Sequence, residues 1–93
     1  MLDVVSSTIG ELKYMLDCVY GAIYVGSTGR TASERAYEHQ RRYTGTLYYA
    51  HTQNMQSTED KLLKIRYTHN RQRLSNAQPI PGYVYIIVGR KRS

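Results

Sequence analysis

The chain has 93 residues and a formal charge of +6 from thirteen Lys and Arg against seven Asp and Glu, which favours one domain with a polyanionic partner. A single cysteine, Cys18, rules out an intramolecular disulfide and a cysteine-rich zinc site. The sequence has neither a secretory pattern nor an apolar run of spanning length, so we expect a protein without a membrane partner, intracellular in cytoplasm or nucleus.

Residues 1–10 mix a short apolar patch with Ser, Thr and Gly and read as an N-terminal arm. From Leu12 to Val25 the sequence LKYMLDCVYGAIYV reads as two β-prone stretches divided near Tyr20-Gly21, a predicted hairpin. Gly26-Ser27-Thr28-Gly29 ends its second strand. Thr31 and Glu34 have the S/T-x-x-E spacing of a helix start, and a helix is predicted from Ala32 to Tyr43. One of its faces carries Arg35, His39 and Arg42, while Ala32 and Ala36 are small enough to lie close to a sheet.

Thr46 to His51 has the β-branched and aromatic content of a third strand. Asn54 or Ser57 can cap the next helix, with Leu62 and Leu63 inward and Glu59 near its start. Residues 68–82 contain both prolines and read as a loop. Tyr83 to Val88 is the strongest strand signal, and the basic tail 89–93 is expected to be mobile. Eight basic residues and no carboxylate lie between Lys61 and Ser93. There are ten tyrosines but no phenylalanine or tryptophan, so every aromatic ring brings a hydroxyl, suited to half-covered strand surfaces. The expected fold is α+β: a small antiparallel sheet of three strands plus a C-terminal fourth, flanked by helices, in one domain spanning 1–93.

The segment IYVGSTGRTASERAYEH resembles the second signature of the GIY-YIG nucleases, in which a Tyr-Ile/Val-Gly strand runs into a loop and a helix bearing Arg and His one turn apart. The matching residues are Tyr24-Val25-Gly26, Arg35 and His39. The resemblance implies a further tyrosine on the preceding strand, at Tyr14, although LKY departs from Gly-Ile-Tyr. It also implies a metal-binding glutamate, Glu59, and an asparagine beyond that helix, Asn76. A permuted alternative starts from GYVYII, which resembles the first family strand as well as LKYML does, and puts Tyr83 or Tyr85 in place of Tyr14.

On this reading the protein is an endonuclease that hydrolyses DNA phosphodiester bonds, with one divalent ion, Mg²⁺ or Mn²⁺, held by Glu59, waters and substrate. Arg35 stabilises charge growing on the phosphate. Tyr24 or Tyr14 accepts a proton from water, directly or by relay, with His39 holding the phenol or phosphate. Gly26, Ser27, Thr28, Arg30 and Arg42 are the expected substrate contacts. Clean double-strand breaks would require a homodimer or sequential nicking. The non-catalytic alternative is a basic module that stacks single-stranded nucleic acid on its tyrosines.

Overall fold

The computed structural model describes residues 2–18, 21–66 and 79–92, with the side chains of residues 65 and 66 left aside. Seven elements follow in the order β1 Asp3–Ser6, α1 Ile9–Cys18, β2 Ala22–Thr28, α2 Ala32–His39, β3 Tyr43–Thr52, α3 Met55–Arg66 and β4 Gly82–Lys91. The class is α+β, a four-stranded sheet flanked by helices. Its strand order is β1-β3-β4-β2. The sheet is mixed, because β1 runs parallel to β3 while β3 and β2 both pair antiparallel with β4.

The N-terminal region departs from the expected hairpin. Residues 9–18 form a helix, and β1, expected to be a loose arm, is an edge strand. The cause is local. Thr8 and Glu11 cap each other reciprocally, Thr8 N–H donating to Glu11 Oε1 at 3.0 Å and Glu11 N–H to Thr8 Oγ1 at 3.1 Å, two helix-start donors satisfied at once. Ile9, Leu12 and Leu16 then recur at helical spacing and pack on one face of the sheet. A strand here would have split that apolar set between two faces.

The sheet is a septum between two apolar layers. On one side Leu47, Tyr85 and Ile87 pack with Leu2 and with Ala32 and Ala36 of α2, the alanines admitting the helix close to the strands. On the other, Ala50, Val84, Ile86 and Val25 pack with Leu12 of α1 and Leu62 of α3. Burying side chains such as Leu47, Ile86 and Ile87 contributes about 1.5–3 kcal/mol each, and all three are fully inaccessible. The alternation along β4 divides its residues between the layers.

The remaining boundaries shift by a few residues. The α2 cap forms as expected, Glu34 N–H donating to Thr31 Oγ1 at 3.2 Å. The helix ends at His39, and Tyr43 opens β3 opposite Lys91. Asn54 caps α3 by accepting from Ser57 N–H at 3.1 Å. The expected mobile tail is strand as far as Lys91, because Arg90 and Lys91 pair with Thr44 and Tyr43. Most of the expected loop 68–82 lies outside the described residues, whereas Gly82 already belongs to β4. Among the described residues no helix is long and apolar enough to cross a membrane.

Candidate active site

Two neighbouring strands and one helix converge on a group of rings. Tyr24 lies on β2 and Tyr85 on β4, where Tyr85 is the register partner of Gly26. A Cβ built on Gly26 would lie 2.7 Å from both Cζ and the hydroxyl of Tyr85 and 2.8 Å from Cε1 of Tyr24. The glycine therefore opens the floor on which both phenols rest. Their rings stack at a centroid distance of 6.0 Å and an interplanar angle of 16°. His39, on the last turn of α2, tilts over Tyr24 at 4.7 Å. Its Nε2 is 2.9 Å from the Tyr85 hydroxyl. Tyr43 closes the group from β3, its ring 5.9 Å from Tyr24 and 5.8 Å from His39.

The electrostatics assign different tasks to these groups. Burial lowers the His39 pKa from its ordinary 6.5, helped by the charges of Arg35 and Arg42 and opposed by Glu38. The imidazole is therefore neutral at pH 7, and with its proton on Nδ1 it accepts a hydrogen bond from Tyr85 at Nε2. Burial raises the Tyr85 phenol well above the usual tyrosine range, Tyr24 and Glu59 adding to the shift and Arg35 opposing it. Tyr85 thus keeps its proton at neutral pH rather than standing as a phenolate.

Arg35 lies one turn before His39 on α2. Its Nη1 donates to Glu38 Oε2 at 2.7 Å, a bond that raises the Arg35 pKa and lowers that of Glu38. Arg30 joins the same carboxylate, 3.1 Å from Oε1. The Nε atom of Arg35 is buried and has no hydrogen-bond partner among the described residues. A buried donor without a partner costs about 1–3 kcal/mol. One edge of this guanidinium is anchored to Glu38, while Nε, closed off from solvent, stays unsatisfied.

Glu59 comes from α3, in the layer on the far side of the sheet. At the end of β2 its Oε2 accepts from Ser27 Oγ at 2.8 Å, and its charge acts on the Tyr85 phenol. The bond to Ser27 engages Oε2 and leaves Oε1 as the oxygen that could take a further ligand. The described residues contain no group of three or more His, Cys, Asp or Glu able to hold a metal ion. A hard divalent ion at Glu59 would have this one carboxylate as its protein ligand and would need water and phosphate for the rest.

The other expected site residues fall out differently. Tyr14 is a correction: it lies on α1, 64% exposed, and α1 packs on the sheet face opposite the Tyr24–His39 group. Tyr85 occupies the position beside Tyr24 that a hairpin would have assigned to Tyr14. Thr28 is also a correction. It is buried, and its Oγ1 accepts from Arg30 N–H at 2.9 Å, which makes it a turn-forming group rather than a surface contact. Arg30 is exposed but tied to Glu34 and Glu38. Arg42 is exposed, and its charge bears on His39. Asn76 lies outside the described residues.

Three participants escaped the reading from sequence: Tyr43, the Ser27–Glu59 bond, and Glu38 as the anchor of Arg35. The spacing of Arg35 and Glu38 on one helix face was the available signal for the last. The chain matches no protein-family model, curated protein or solved structure.

Proposed function

We propose that the protein is a metal-dependent endonuclease of the GIY-YIG type, hydrolysing DNA phosphodiester bonds, with Tyr85 of the C-terminal strand in the role first assigned to Tyr14. The observation that carries this reading is the 2.9 Å contact between Tyr85 and a neutral His39, beside Tyr24 and above Gly26. GYVYII then stands for the first family strand, moved behind the rest of the domain. Its antiparallel pairing with β2 supplies the neighbourhood that the chain order lacks.

Each residue has a task in that reaction. A scissile phosphate meets the exposed part of the Arg35 guanidinium, and charge growing on its oxygens is stabilised by a group that Glu38 holds in place. Water gives a proton to the hydroxyl of half-buried Tyr24 as Tyr24 passes its own through the enclosed Tyr85 hydroxyl to His39 Nε2, so no free phenolate has to persist in a buried site. The hydroxide attacks phosphorus, the bond to the leaving oxygen breaks, that alkoxide takes a proton from solvent water, and His39 returns the proton it holds to solvent. Tyr24 also supports Tyr85 by stacking, and its hydroxyl is the outer end of the relay. Glu59 would hold Mg²⁺ or Mn²⁺, which would supply polarisation of a phosphoryl oxygen when bound.

The alternative role as a stacking module is less well supported. Tyr85 is 1% exposed, and the exposed tyrosines Tyr14 and Tyr37 lie on helices packed on opposite faces of the sheet, so they form no shared platform for successive bases. The lone cysteine suits an intracellular setting, where thiols remain reduced. The decisive experiment is plasmid cleavage with Mg²⁺. Glu59→Ala is expected to bind DNA normally and to lose cleavage, and retained cleavage would remove Glu59 from the mechanism.

A further inference from the structure

The β3–β4 pair outruns its neighbours. It extends from Thr52↔Gly82 to Tyr43↔Lys91, but β2 leaves the sheet at Ala22↔Val88 and β1 at Asp3↔Thr46. Beyond those rungs a two-stranded ribbon remains, Tyr43–Gly45 against Gly89–Lys91. Its strands approach closely at Gly45 and Gly89, both at positive φ (127° and 156°). A Cβ on Gly45 would strike the Val88 carbonyl, and one on Gly89 the Thr44 carbonyl. The chain is also held there by Arg92 N–H, which donates to Arg42 O at 2.7 Å.

This ribbon gathers five cations: Arg41 and Arg42 in the turn before it, Arg90 and Lys91 on its second strand, and Arg92 just beyond. All five are exposed. Unlike Arg30 and Arg35, which are tied to Glu34 and Glu38, none of them forms an ion pair with a described residue. The register brings one carboxylate, Asp3 opposite Thr46, to the foot of the ribbon. Tyr43, the ribbon's first residue, belongs to the Tyr24–His39 ring group. The free positive charge is thus continuous with the candidate active site.

We infer that this basic ribbon is the duplex-docking element of the protein, gripping the phosphates of double-stranded DNA beside the phosphate presented to Arg35. Arg90 and Lys91, adjacent on one strand, project from opposite faces of the ribbon, so a ribbon lying in the major groove of a duplex offers a cation to the phosphates on either wall. A single strand would have to be ordered to do the same, at an entropic cost. The inference rests on the nuclease reading only for what happens to the duplex after docking.

The test measures salt dependence of binding by fluorescence anisotropy, using a labelled DNA duplex and the corresponding single strand in EDTA. The variant with Arg90→Gln, Lys91→Gln and Arg92→Gln should flatten the slope of log K against log salt for the duplex by about 0.9 per lost phosphate contact, hence between about 2 and 3 in all. Arg41→Gln, outside the strands, should flatten it by about 1 and serves if the triple variant does not fold. Arg90→Lys with Arg92→Lys should keep the slope. An unchanged slope in the neutral variants overturns the inference, as does an equal loss on single strand and duplex. Glu59→Ala should keep the full slope. Absence of cleavage in every preparation would sink the nuclease reading while leaving the slopes to decide the ribbon.

Discussion

Gly26 and Tyr85 face each other across β2 and β4, and the missing side chain of the first is the space occupied by the ring of the second. Gly26→Ala places a methyl carbon 2.7 Å from the phenol's Cζ and hydroxyl. The ring end would ordinarily yield, but Tyr85 is enclosed. We expect destabilisation of about 1–3 kcal/mol, typical of overpacking, together with displacement of the hydroxyl from His39. Urea denaturation and plasmid cleavage measure the two effects. Wild-type stability and activity would disprove the packing argument.

Tyr85→Phe removes the hydroxyl that contacts His39. Because His39 is only partly buried, the stability loss should be near 1 kcal/mol, while the rate should fall by about 10²–10⁴, the worth of a positioned proton-transfer group. Tyr14→Phe, on an exposed part of α1, should change neither. Single-turnover cleavage by both variants distinguishes the assignments, and the reverse pattern would restore Tyr14.

These two tyrosines show what the chain reveals on inspection and what it does not. Tyr24, Gly26, Arg35 and His39 lie within one strand-loop-helix unit, so their proximity follows from local spacing, and the structure brings them together. The error at Tyr14 was also local: Thr8 and Glu11 carry the same S/T-x-x-E signal that marked α2, but the tyrosine and valine content nearby suggested strand. Tyr85 is another matter. It meets His39 from 46 residues away, through a β2–β4 pairing that no spacing rule specifies. The apolar alternation of YVYIIV shows a strand without saying which neighbour it takes. Ser27 and Glu59 are likewise joined only by the packing of α3 against β2.

His39 should make stability depend on pH. Its folded pKa lies below the ordinary 6.5, so beneath that value the unfolded chain binds more protons, and stability is lost as pH falls through the folded value. Urea midpoints should decline on acidification below about 6.5, and His39→Gln should flatten this part of the curve. Cleavage should fall over the same range, since a protonated His39 cannot take the Tyr85 proton. A midpoint that rises on acidification would reverse the proposed charge state.

Arg35→Lys preserves charge but removes the Nε–H that lies buried without a partner. The lysine ammonium cannot reproduce the planar set of donors. DNA affinity should change little, while the single-turnover rate should drop by about 10²–10³, comparable to loss of one oxyanion donor. Anisotropy and quenched-flow cleavage separate the terms. A fall in affinity without a fall in rate would make Arg35 a binding residue only.

Ser27→Ala tests whether the hydrogen bond to Glu59 orients a metal-binding carboxylate. The serine fixes Oε2 at 2.8 Å and so limits how far the carboxylate can turn. Without it the carboxylate can rotate, and the cost of losing such a supporting bond is about 10–100-fold in metal affinity. Free Mn²⁺ measured by electron paramagnetic resonance during titration reads that loss without reference to cleavage, and excess Mg²⁺ should recover part of the cleavage rate. Ser27→Thr, which retains the hydroxyl, should bind Mn²⁺ more tightly than Ser27→Ala. Equal Mn²⁺ affinity in the wild type and Ser27→Ala would mean that the bond serves only the packing of α3 on β2.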